Sequence, residues 1–164
     1  MSANLFGLRD PVKLVIAVVA CNLAGILGAV FTQTGPGSWY AQLVKPEISP
    51  PSFVFAPAWT TLYILMGIAL YLVWMEGTDR PDVRGALAIF GVQLVLNFLW
   101  SFLFFGLESP LLGLIDIAVL WLAIVATIAA FVRVNRTAAY LLIPYLLWVS
   151  FATYLNYSIL VLNP

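Results

Sequence analysis

The chain is predicted to be an all-α integral membrane bundle of five transmembrane helices, and three observations lead there. Of its 164 residues, 63% are hydrophobic and only 9% charged, and the mean hydropathy is +1.05. A soluble domain of this length cannot hide that much apolar surface. The apolar residues fall into five runs, each close to the ~20 residues a helix needs to cross ~30 Å of hydrocarbon. Polar-in, apolar-out alternation is absent, which excludes a barrel.

The runs are residues 13–34, 52–75, 84–107, 110–132 and 137–162, joined by a lid loop at 35–51 and three short connections. Without an internal repeat or composition break, 1–164 reads as one domain. The first run follows Arg9 and Lys13, and Val18-Val19-Ala20-Cys21 resembles a lipoprotein cleavage box. Its apolar stretch continues to about Phe31, so it is expected to be an uncleaved first helix. Ala20, Ala24 and Gly28 recur every fourth residue there and predict a face for close helix packing. Glu108–Ser109 is so short a connection that the third and fourth helices must be antiparallel neighbours. In the fifth run, Pro144 removes one backbone donor; it either bends the helix, which beside a gap widens a bundle into a cavity, or is a proline that the membrane helix tolerates.

Lys and Arg placement predicts orientation. Arg9, Lys13, Arg80, Arg84, Arg133 and Arg136 share one side and Lys45 stands alone on the other, so a multi-pass protein with a cytoplasmic amino terminus is expected. Seven positive and seven negative residues cancel, leaving no electrostatic basis for nucleic-acid binding. With no His and only Cys21, no disulfide or His/Cys metal site is available.

The lid loop concentrates rigid and aromatic residues. Ser38 is placed to cap a short helix carrying Trp39, Tyr40 and Leu43; Lys45-Pro46 ends it, and Pro50-Pro51 holds the chain extended before Ser52. On the second helix Phe55, Trp59, Tyr63 and Met66 share a face. On the fifth, Trp148, Ala152, Leu155 and Ile159 do so, with a small Ala one turn from a large ring. On the third, Gln93 and Asn97 are four apart and Trp100 and Ser101 continue that side. Amides at membrane depth point inward, as do Asn22 and Asn156. Aromatic stripes more commonly serve packing, and Trp39, Tyr40 and Trp74 also suit an interfacial belt. The convergence of rings, amides and a stiff lid describes an apolar slot with few polar contacts, the make-up of a small-molecule site. Asp116 is the one carboxylate well inside a span, either a functional group or a structural one.

These residues resemble the tryptophan-rich sensory protein, or translocator protein, family (the TspO/MBR or peripheral-type benzodiazepine receptor family). The resemblance rests on Trp39-Tyr40, Leu43, Lys45-Pro46, Pro50-Pro51, Pro57, Trp59 and Leu62-Tyr63. It continues in Leu96-Asn97-Phe98-Leu99-Trp100 with Phe104-Phe105-Gly106, and in Pro144-Tyr145-Leu146-Leu147-Trp148 through Phe151-Ala152-Thr153-Tyr154-Leu155-Asn156-Tyr157. It implies a five-helix receptor or sensor that binds protoporphyrin IX-like tetrapyrroles and isoquinoline or benzodiazepine ligands under the first loop. The matching pocket positions are Tyr40, Pro50, Phe55, Trp59, Tyr63, Asn97, Trp100, Trp148 and Ala152. It also implies a homodimer and light-dependent porphyrin degradation, with Trp59 and Trp148 as the photochemical residues. Porphyrin is then a ligand; no cofactor, metal or conventional acid–base site is expected. The cation that ends the proposed cholesterol motif of animal members is missing after Leu155-Asn156-Tyr157, so dedicated cholesterol recognition is not expected and a microbial member is. A transporter of porphyrin or other amphipathic molecules, or an interaction protein with a regulatory pocket, are the alternatives.

Overall fold

A computed structural model describes residues 10–164, which contain helices and no strand. Arg9, used in the orientation argument, lies outside the described residues. Five helical stretches are long and apolar enough to cross a membrane, in agreement with the predicted all-α membrane bundle. The helices are α1 (Pro11–Ala29), α2 (Trp39–Gln42), α3 (Phe55–Trp74), α4 (Pro81–Ser101), α5 (Pro110–Val134), α6 (Arg136–Leu141) and α7 (Ile143–Leu162).

Local chemistry sets the ends. The Asp10 carboxylate accepts from the Lys13 N–H at 3.1 Å and Pro11 follows it, an N-cap with proline where no donor is needed. Ser109 caps α5 through the Leu112 N–H in the same way, again followed by proline. The first span stops at Ala29 rather than Thr34. The Phe31 and Thr32 N–H groups bond three residues back, to Gly28 and Ala29, and this tightened turn leads the chain out towards the lid.

The bundle order follows from contacts: α1 packs on α3 and α4, α4 on α5, and α5 on α7, while α6 wedges between α3 and α5. Where α1 crosses α3, Gly67 lies against the backbone of Val18, so that no side chain fits there. The small stripe of α1 is displaced from the expected one. Ala17, Cys21 and Gly28 are buried, whereas Ala20 is exposed. The periodicity is helical either way; what fixes the face is the partners, with Val18 against Gly67 and Gly25 against Tyr63 of α3, and Gly28 against Ser101 of α4.

The fifth span is broken at Leu142, and Pro144 sits in the first turn of α7, where a missing N–H costs nothing. The two halves have different jobs. Ala138, Ala139 and Leu142 are fully buried beside Val73, Val83 and Phe131, and Phe90 stacks on Phe131 at 5.8 Å, so this end is solid. Lys13 lies over the Trp74 ring at 5.2 Å and Asn135 donates to Glu76 at 3.0 Å, tying the helix ends together. Beyond the break α7 runs along α5, and α3 reaches it through aromatic rings. The opposite, lid-bearing half is hollow.

Candidate functional site

A cavity of about 380 Å³ occupies the lid-bearing half, walled by α1, α3, α4 and α7 and covered by the lid. It is built from the second-helix stripe upward. Trp59 stacks on Tyr63, ring centroids 5.6 Å apart and 27° from parallel, and meets Trp148 edge-on at 6.4 Å and 87°. Phe55 closes on Trp148 at 6.1 Å. Two helices whose backbones stand apart are thus bridged by indole and phenyl rings, an arrangement favoured by ring quadrupoles.

The floor is polar and fully satisfied. Tyr63 donates its hydroxyl to the Asn97 carbonyl oxygen, and Asn97 donates to the Tyr145 hydroxyl at 2.8 Å. Tyr145 then donates to Gln93 at 2.8 Å. Gln93 ends the chain against the sulfur of Met66 at 4.0 Å. All these side chains are buried, and in an apolar interior such a chain holds only while every member stays paired. Its effect is to fix the two phenol rings that pack against Trp59 from α3 and α7. A second polar tie links α4, α5 and α7: the Trp100 indole donates to Asn156 at 3.0 Å, and Asn156 to the Pro110 carbonyl at 2.8 Å.

At the end of α4 the backbone widens, with the Leu107 N–H reaching the Phe102 carbonyl five residues back at 2.9 Å. Such widened turns re-aim side chains. Here both Phe104 and Phe105 face Trp100 and the lid. Phe104 stacks on Trp100 at 5.0 Å and meets Trp39 edge-on at 5.5 Å; Phe105 lies 5.5 Å from Tyr40. Ser38 caps α2 through the Ala41 N–H, as its position predicts. Tyr40 is buried, Lys45 sits 4.7 Å above its ring, and burial pushes the Tyr40 phenol up, keeping it neutral. The lid is held further by Asn163, which exchanges hydrogen bonds with the Val44 backbone.

Of the nine predicted ligand positions, Tyr40, Phe55, Trp59, Tyr63, Asn97, Trp100, Trp148 and Ala152 line this one cavity; Pro50 does not, and its loop neighbour Ser52 does. Pro50 shapes the lid while the wall begins where the chain turns into α3. Asp116 is buried but is not part of the wall, and one of its oxygens has no partner among the described residues. No group of metal-binding side chains occurs among the described residues. Sequence reasoning missed the α1 wall of Gly25, Ile26 and Ala29, which continues from Asn22. The readable signal was Asn22 itself, since the residues three, four and seven positions after it share its face.

The profile of the TspO/MBR family matches residues 17–162. The chain is 49% identical to tryptophan-rich protein TspO of Chlorobaculum tepidum, over 95% of this chain and 99% of that protein. It is 37% identical to the tryptophan-rich sensory protein of Cereibacter sphaeroides, covering 89% and 88% of the two chains. Similarity extends to the translocator protein of Homo sapiens, at 39% identity over 86% and 84%.

Proposed function

The chain belongs to the TspO/MBR family, and on that footing we propose that its membrane-embedded cavity receives planar tetrapyrroles of the protoporphyrin IX type, and isoquinoline- or benzodiazepine-type ligands. The family supports a membrane sensor or receptor role; the ligand class is our reading. One observation carries it: Trp59 and Trp148 stand perpendicular at 6.4 Å on the wall of one apolar cavity, offering flat faces and edges to a flat ring. Asn97, locked by two tyrosines, supplies a polar point at the floor.

The same geometry supports light-dependent degradation. A photoexcited porphyrin takes one electron from the adjacent indole and passes it to dioxygen, giving superoxide. The indole radical cation then takes an electron back from the ground-state porphyrin, and the porphyrin radical cation combines with superoxide. Porphyrin is thus oxidised by dioxygen and the indole is restored. The Tyr63 and Tyr145 hydroxyls donate to amides rather than carboxylates, so neither phenol is hydrogen-bonded to a base that would take its proton, which favours oxidation of the indole. A homodimer, as the family resemblance implies, belongs to the proposal without a face assigned. So does a cytoplasmic amino terminus, supported by Lys13, Arg80, Arg84, Arg133 and Arg136 at one end against Lys45 at the other.

The test is titration of protoporphyrin IX into purified protein, followed by tryptophan quenching. The W59F/W148F double variant is expected to weaken binding roughly ten-fold or more and to stop light-driven bleaching of the bound porphyrin. Unchanged binding and bleaching in that variant would overturn the site.

A further inference from the structure

On the outer face of the bundle an open apolar groove runs between α3 and α7, lined by Pro57, Ala58, Thr61, Pro144, Leu147 and Phe151, and by Trp148. Trp148 also lines the inner cavity. One indole is therefore the partition between the ligand cavity and a groove that faces hydrocarbon.

The partition is held differently from its counterparts. The Trp100 and Trp121 indoles donate to Asn156 at 3.0 Å and to Ser150 at 2.8 Å. The Trp148 Nε1 is buried and has no partner among the described residues. Edge-on and tilted contacts with Phe55, Trp59 and Phe151, at 6.0 to 6.4 Å, and apolar packing against the core keep this ring in place. Swinging it aside breaks no hydrogen bond, and a buried unpaired donor gains from any move that finds an acceptor.

The volume argues for such a move. A cavity of about 380 Å³ lies near the low end of the roughly 300–1,000 Å³ of small-molecule pockets, a size for two or three linked rings. A macrocycle of four pyrroles with its substituents needs more room. At the level of Tyr63 the slot is closed towards α1, because Gly25 lies against that ring, while nearer the lid its wall includes the exposed Ile26 and Thr60. Towards α7 only the Trp148 side chain stands between the cavity and the groove.

We propose that the α3–α7 groove is the outer half of the ligand site, taking the apolar edge of a ring too wide for the cavity, with Trp148 as the movable partition. This rests on the tetrapyrrole reading above and adds a size rule to it: small rings use the cavity alone, wide rings use cavity and groove. The apolar edge then meets hydrocarbon, and polar substituents stay near the lid.

Two variants fill the groove without touching the cavity wall, Ala58→Trp and Thr61→Phe. Each is assayed in lipid nanodiscs with protoporphyrin IX and with 1-phenylisoquinoline. Both variants are expected to lose roughly ten-fold or more in protoporphyrin affinity and to keep 1-phenylisoquinoline affinity within about two-fold, the latter also reporting an intact fold. Unchanged protoporphyrin affinity in both variants overturns the groove alone, as does an equal loss of both probes in both variants. A wild-type protein that binds 1-phenylisoquinoline but no protoporphyrin overturns the tetrapyrrole reading and the groove with it.

Discussion

Asn163 grips the lid backbone at Val44 with both ends of its amide, accepting from the Val44 N–H at 3.0 Å and donating to its carbonyl at 2.8 Å. The residues are 119 apart in sequence, and the pair joins the lid to the end of α7. Both bonds are exposed, and each is worth about 0.5–1.5 kcal/mol. Asn163→Ala is expected to speed amide exchange across residues 35–51 and to raise the dissociation rate of bound porphyrin roughly five- to thirty-fold. Exchange followed by mass spectrometry checks the first expectation without any ligand. A lid exchanging at the wild-type rate would show that Tyr40 and its ring contacts hold it alone.

Asn97 carries a second prediction. Replacing it with Leu keeps the volume but strands the Tyr63 hydroxyl, which loses its acceptor, while Tyr145 loses a donor and keeps its own bond to Gln93. Each unsatisfied buried group costs about 1–3 kcal/mol, so N97L should be clearly destabilised in detergent unfolding. Adding Tyr63→Phe removes the stranded hydroxyl and should recover part of that loss. Failure of the double variant to recover would mean that the amide acts by packing and not by pairing.

Much of this architecture was legible because a membrane imposes strong rules. The five spans follow from hydropathy and length, and the stripe Phe55, Trp59, Tyr63 needs only the helical period. Trp148 and Ala152 followed on the same logic, and the cavity joins them to Trp59. What stayed hidden depends on partners rather than on period. Nothing in Ala20, Ala24 and Gly28 says that the buried stripe is Ala17, Cys21 and Gly28, because partners on α3 and α4 make that choice. The widened turn at Phe102–Gly106 and the Asn163–Val44 clasp likewise arise from three-dimensional neighbours. Pro144 pointed to a bend or a tolerated proline, not to the break at Leu142 that puts it in the first turn of a new helix, nor to the residues before it plugging one end of the bundle.

The two close-approach glycines of the α1–α3 interface should behave differently. A methyl at Gly67 meets the Val18 backbone, which has no rotamer to yield; overpacking of this kind costs about 1–3 kcal/mol. Gly67→Ala should therefore lower thermal stability. A methyl at Gly25 meets only the edge of the Tyr63 ring. Gly25→Ala is expected to tilt that ring, disturb its stacking on Trp59 and weaken porphyrin binding about three- to ten-fold, with a smaller loss of stability than at Gly67. Unfolding curves and titrations on both variants check the contrast, and equal effects on both readouts would contradict it.

The α4–α5 connection stores strain that a single substitution should release. Glu108 has φ 52°, the left-handed region that costs a non-glycine residue about 1–2 kcal/mol. The chain accepts it because the connection is so short. The Leu107 N–H is committed to Phe102 at 2.9 Å and the Ser109 N–H to Leu103 at 3.3 Å, while the Ser109 side chain caps α5. The Glu108 side chain is exposed, so its removal deletes no packing. Glycine adopts this φ freely but loses about 0.5–1 kcal/mol more chain entropy on folding. The balance leaves Glu108→Gly more stable by up to about 1 kcal/mol, read as a higher unfolding midpoint in detergent with porphyrin binding unchanged. Glu108→Val, with a β-branched side chain forced to positive φ, should move the midpoint the other way; a midpoint indifferent to both changes would show that the turn relaxes elsewhere.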